Sequence, residues 1–134
     1  MSEQKRRFLE RTTLHVSPAP TVVGADSIVV GNIRGKGQFV ICGEVQGDGE
    51  LDGALVLSAA ASWYGYIRAH QAIVAGKIVG GIIVKDKLEI GHTAVIRGHV
   101  SARTVAIAKG AIVDGEIEVT SGIPIQEFAE KRGD

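Results

Sequence analysis

Residues 74–102 read VAGKIVGGIIVKDKLEIGHTAVIRGHVSA, and within them Ile78-Val79-Gly80-Gly81-Ile82 is answered by Ile96-Arg97-Gly98-His99-Val100. In each unit a glycine has a bulky apolar residue two places before it and a β-branched residue two places after. Working outward in both directions, the unit recurs at six glycines: Gly31, Gly47, Gly65, Gly80, Gly98 and Gly115, spaced 16, 18, 15, 18 and 17 residues apart. Before them stand Val29, Val45, Trp63, Ile78, Ile96 and Val113; after them come Ile33, Gly49, Ile67, Ile82, Val100 and Ile117. A step of two is the period of a strand, and this recurrence is too short for helical repeats. The sequence therefore predicts an all-β protein, a parallel β-helix (β-solenoid) of about six triangular turns.

Further columns support that reading. Val23, Ile41, Leu57, Val74, Ile90 and Ile107 precede the glycines, with Thr21, Phe39, Leu55, Ala72, Leu88 and Val105 two places earlier. Small residues follow the first of these columns at Gly24, Cys42, Ser58, Ala75, Gly91 and Ala108, as a corner requires. From apolar anchor to glycine the chain takes eight residues at Val23, Leu57, Ile90 and Ile107 but six at Ile41 and Val74, so one corner holds two extra residues in some turns. Stacking at the strand spacing makes a rod on the order of 3 nm long. An antiparallel sandwich is the competing arrangement, but hairpins do not require the same columns in every repeat. Gly49 stands where Ile or Val is expected, which predicts a softer second turn.

Composition agrees with a narrow coil. The chain has 134 residues, 18 glycines and only 4% aromatics, with 15 basic and 15 acidic side chains in balance. That balance gives no whole-chain field for nucleic acid. A single cysteine, Cys42, excludes an internal disulfide framework and fits a reducing compartment. No apolar run is long enough to span a bilayer as a helix, and MSEQKRRFLERTTLHV lacks the core of a signal peptide, so a cytoplasmic location is expected. Pro18 and Pro20 cannot serve a ladder. The expected division is a disordered tail over 1–20, the β-helix over 21–120, and a short tail over 121–134.

From Thr21 to Val119 the chain resembles the bactofilins, through TVVGADSIVVGNIRGKGQFVICGEVQG, AIVAGKIVGGI and VAIAKGAIVDGEIEV. The resemblance implies a right-handed coil that polymerises end to end without nucleotide. It also implies filaments on the inner membrane face that act as scaffolds for cell-wall enzymes or other localised factors.

The residues themselves point to the ends. A parallel coil leaves unpaired N–H and C=O groups at each terminal turn, and monomeric solenoids block them with caps or charges. Here the first turn offers Thr21, Val23, Val29 and Ile33, and the last offers Ile112, Val113, Ile117 and Val119, so these are the expected polymerisation surfaces between copies. The capped alternative uses Ile123, Ile125 and Phe128 of the C-terminal segment as a lid. Tyr64, Tyr66, Val79 and Ile83 fall on outward columns of adjacent turns and form a candidate lateral face. In the N-terminal segment Lys5, Arg6, Arg7, Phe8, Leu9 and Arg11 combine cations with apolar side chains, a pattern suited to an anionic membrane surface or to a protein partner.

No catalytic, cofactor or metal site is expected. His92 and His99 lie seven residues apart, while His70 and His15 stand elsewhere, so three convergent zinc ligands do not arise. No glycine-rich segment has the Lys-Ser/Thr ending of a phosphate loop. Trimeric β-helix enzymes, acyltransferases or carbonic-anhydrase-like, are the enzymatic alternative, and a capped monomeric binding module is the third.

Overall fold

In the computed structural model, which describes residues 19–128, the chain is a coil of eleven strands, with no helix among the described residues. They are β1 (Thr21–Val23), β2 (Ile28–Val30), β3 (Ile33–Ile41), β4 (Glu44–Gln46), β5 (Gly49–Leu57), β6 (Ser62–Val74), β7 (Lys77–Ile90), β8 (Val95–Ala108), β9 (Ile112–Asp114), β10 (Ile117–Val119) and β11 (Gln126–Phe128). Every pairing is parallel, and each strand lies on the one a turn away. Three faces result. The first carries β2, β4, the starts of β6, β7 and β8, and β9. The second carries the starts of β3 and β5, the middles of β6 to β8, and β10. The third carries β1, the ends of β3 to β8 (β4 excepted), and β11.

The inward columns are those read from the sequence. Val45, Trp63, Ile78 and Ile96 fill the first face; Ile67, Ile82 and Val100 the second; Ile41, Leu57, Val74 and Ile90 the third, all fully buried. No polar or charged side chain is buried among the described residues. Each such side chain contributes about 1.5–3 kcal/mol by leaving water. The prism is therefore held by apolar stacking plus the backbone ladder between turns.

Both irregularities of spacing have local causes. Long first corners close with a turn hydrogen bond, as in Ser27 N to Gly24 O at 3.0 Å and Ala61 N to Ser58 O at 2.9 Å. Short ones pass through Cys42-Gly43 and Ala75-Gly76, where a Cβ on Gly76 would overlap the carbonyl oxygens of Ser58 and Ala61 in the turn below. A second corner also varies, which the sequence reading did not anticipate. Leu51 to Leu55 and Val84 to Leu88 are steps of four, whereas Ala69 to Ala72 is a step of three, and the pairing register shifts there. The interval of 15 combines both short corners and the intervals of 18 combine both long ones.

Two expectations need correction. Gly49 does not leave a soft spot: it is buried, and a Cβ there would lie 2.7 and 2.9 Å from the ring of Trp63. The indole fills the gap and donates its Nε1–H to Gly47 O at 2.8 Å. The segment 121–134 does not leave the coil altogether, because Gln126–Phe128 pair with Ala106–Ala108 as β11.

Candidate functional site: the ends and faces of the coil

The glycine column shows how tightly the turns stack. Gly98 has φ +137°, and a Cβ on it would overlap the carbonyl oxygen of Gly80 one turn earlier; Gly115 stands in the same relation to Gly98. Side chains are thus excluded from this corner throughout the coil. At Gly31, with φ +129°, no atom of the described residues lies within 4 Å of a built Cβ, and none of them forms a turn before it.

Among the described residues, strands β1 and β2 each pair on one edge, with β3 and β4. Val23 is buried, Val29 and Ile33 are half-buried against the core, and Thr21 is exposed although it sits over the buried Phe39. At the other end, among the described residues, β9 and β10 pair with β8 alone. Val113, Ile117 and Val119 are half-buried in continuation of their columns. Ile112 departs from the expectation: it is 56% exposed and points outward, since strand alternation assigns the inward place to its neighbour Val113. Among the described residues, the inward side chains of β2, β9 and β10 and of the start of β3 thus have a neighbouring turn on one side and none on the other.

The expected lateral residues do not share a flat face. Tyr64 and Val79 lie on the first face and Tyr66 and Ile83 on the second, across the Gly65–Gly80 corner. Tyr64 and Tyr66 are exposed, while Val79 and Ile83 are half-buried. Tyr66 leans over Gly81, whose Cβ would meet its ring at 2.7 Å, and Lys77 Nζ sits 5.7 Å from the centroid of Tyr64. A more continuous apolar stripe runs up the outside of the third face through Val22, Val40, Val56 and Ile73, in register. It was legible in the sequence as the residues between the inward pairs of that face.

Charged side chains line the corner between the second and third faces. A groove of about 820 Å³ is bordered by Arg34, Lys36, Glu50, Asp52, Arg68, His70 and Lys85. Within it Arg34 pairs with Glu50 at 3.2 Å and His70 Nε2 with Asp52 at 2.6 Å. Two turns on, Arg103 donates to Asp86 at 2.7 and 2.9 Å, and that bond holds the Asp86 carboxyl below its ordinary range. Among the described residues no three His, Cys, Asp or Glu side chains group to hold a metal ion. Cys42 is half-buried at its corner. Lys5, Arg6, Arg7, Phe8, Leu9 and Arg11 lie outside the described residues.

A parallel β-solenoid whose apolar columns run to its ends belongs among proteins built to stack or to be capped. Comparison with known proteins decides the class. The bactofilin family, described as polymer-forming cytoskeletal, matches residues 21–118. Bactofilin BacO of Myxococcus xanthus (strain DK1622) is 30% identical over 112 residues, 84% of this chain and 86% of that protein. Bactofilin BacP of the same organism is 26% identical over 111 residues, 83% of this chain but 46% of that longer protein. No solved structure matches the chain. The chain belongs to the bactofilin family, a family of polymer-forming cytoskeletal proteins.

Proposed function

We propose that this protein assembles end to end, without nucleotide, into a non-enzymatic filament at the inner face of the cell membrane, and that the filament localises cell-wall or morphogenesis factors. The observation that carries the proposal is the state of the terminal turns. Val29 and Ile33 at one end, and Val113, Ile117 and Val119 at the other, are half-buried on columns that are fully buried in the middle. A second copy stacked on either end completes that burial. At roughly half of the 1.5–3 kcal/mol for a whole side chain, each residue adds about 1 kcal/mol, on top of the strand pairing gained. The basic, apolar N-terminal segment then gives a polymer many weak lipid contacts at once, which strengthens binding by avidity where one copy binds feebly.

Sedimentation and negative-stain electron microscopy of the purified chain without nucleotide test the central claim. The expected result is filaments, lost in Ile117→Arg and Val119→Arg while the thermal unfolding of the monomer persists. Unchanged filaments in both variants refute the end interface. Co-sedimentation with anionic liposomes tests the membrane arm: replacing Lys5, Arg6, Arg7 and Arg11 by alanine should release the polymer into the supernatant, and equal pelleting would remove that arm alone.

A further inference from the structure

The corner between the second and third faces is irregular where it is most charged. The second turn rounds it through Asp52, Gly53 and Ala54, between the inward Leu51 and Leu55. The fourth rounds it through Lys85, Asp86 and Lys87, between Val84 and Leu88. The third turn has only His70 and Gln71 for the same task, between Ala69 and Ala72. A shorter corner cannot reach as far out as its neighbours, so the third turn is set back between them. The groove of about 820 Å³ lies over this step. Leu51 and Ala69, both buried, and the half-buried Ile83 give it an apolar floor.

The chain as a whole is neutral, but this groove is not. Arg34, Lys36, Arg68 and Lys85 face only two carboxylates, Glu50 and Asp52. Glu50 is taken by Arg34 at 3.2 Å and Asp52 by His70 at 2.6 Å. Among the described residues Lys36, Arg68 and Lys85 make no ion pair, and all three are exposed. Like charges gathered in a cleft with apolar walls concentrate their field there.

We propose that this groove binds an extended acidic segment of a partner protein, and so is the place where a localised factor is held. The proposal rests on the scaffolding part of the function proposed above and is independent of how the ends join. Register sets the length of the segment. Lys36 stands on the first turn and Lys85 on the fourth, three strand spacings or about 14 Å apart, a span that an extended chain covers in about four residues. Carboxylates at positions i and i+4 of the segment reach the two lysines. An apolar residue at i+2 points the same way and lies on Leu51, Ala69 and Ile83. Arg68, on the third turn, adds a cation beside the path. The central Glu50 and Asp52 distinguish among anions. Their oxygens can accept the N–H groups of a peptide, whereas a phosphodiester backbone offers no donor and is repelled. A lipid surface is broad and flat, and the floor of this groove is set back.

The probe is a fluorescein-labelled peptide, Gly-Glu-Ser-Leu-Ser-Glu-Gly, read by polarisation against the full-length chain at low ionic strength. Saturable binding is expected, weakening as salt is raised to about 0.5 M. It should fall by about tenfold or more when both Glu residues of the peptide are Gln, and likewise in the chain carrying Lys36→Glu with Lys85→Glu. Both lysines are exposed, so that variant should keep its melting temperature. Lys109→Glu with Arg97→Glu makes the same change of charge at exposed sites away from the groove and should leave binding unaltered. Equal losses in the two double variants show that diffuse charge binds the probe, and overturn the proposal. So does the absence of saturable binding, or tighter binding at this groove by single-stranded oligothymidylate or phosphatidylglycerol vesicles than by the peptide. Sedimentation of the same samples separates the two readings. Filaments that take up no probe remove the groove and leave the filament, whereas probe binding by a chain that never sediments keeps the groove and removes the filament.

Discussion

Replacing Gly31 by alanine separates the stability of one coil from the stability of the junction between coils. Along the glycine column a built Cβ points back toward the preceding turn, where it meets a carbonyl oxygen at Gly47, Gly65, Gly80, Gly98 and Gly115. At Gly31 it points out of the first described turn and meets none of the described residues within 4 Å. In an end-to-end filament the turn that faces Gly31 is supplied by another copy stacked on that end. Gly98→Ala carries two costs in the monomer: a positive φ unsuited to alanine, about 1–3 kcal/mol, and an overlap with Gly80 of about 1–3 kcal/mol more. Gly31→Ala carries only the first. For a domain of this size each kcal/mol lowers the melting temperature by about 4–8 °C. Below the assembly concentration Gly31→Ala should therefore melt roughly 4–24 °C lower and Gly98→Ala about twice as far below the unaltered chain. In sedimentation the crowding reappears for Gly31→Ala at each junction that uses this end, raising the assembly concentration by about 5-fold to 150-fold. A Gly31→Ala protein that folds and assembles at the concentration of the unaltered chain would refute continuation of the column across the junction.

Other consequences follow from the packing. Gly49→Val forces a branched side chain into the ring of Trp63 and should cost about 1–3 kcal/mol in urea unfolding, with Trp63→Val in the same chain recovering part of the loss; additive costs would show that the two sites do not share one volume. Ile73→Asp, at the exposed position of the third-face stripe, should cost the monomer about 1 kcal/mol and leave the filament intact while weakening any side-by-side contact through this stripe in micrographs. Asp86 donates no proton to Arg103; it accepts, and its pKa lies below the ordinary 3.8. The stability this confers is present above that ordinary value and lost as pH falls through the lowered one, so Asp86→Asn should differ from the unaltered chain at neutral pH and converge with it in strong acid. With both partners largely exposed the difference is small, and added salt should shrink it.

The columns of Val, Ile and Leu were readable because burial in a coil repeats at fixed offsets from each glycine, and every turn votes on the same assignment. Three things were less legible. The one-residue variation between the second and third faces hides in the sequence because Ala69, Ala72, Ala102 and Val105 fit either phase until the strands are paired. Gly49 looked like a defect because its partner, Trp63, stands on a different face one turn later; only the folded volume joins them. Ile112 was taken with the interior for its chemistry, although counting in twos from Val113 puts it outside. β11 breaks the pattern altogether: Pro124 and Glu127 carry no solenoid signature, and the strand exists because Ala106–Ala108 present an edge for it to pair with.

That last point bears on what distinguishes the end of a solenoid from its middle. Every backbone group and every inward side chain of the final turn makes the same request as its counterpart three turns earlier, so an end is defined only by which neighbour answers. Evolution can terminate the coil by changing the request, through charge or proline on an inward column, or can leave it standing. From Val29 to Val119 the inward columns of all three faces carry no charged residue, and the only charge to reach such a position among the described residues is Glu127 of β11. The coil proper is thus written as though it continued, and the three-residue strand β11 that follows it pairs on β8 without extending its apolar columns.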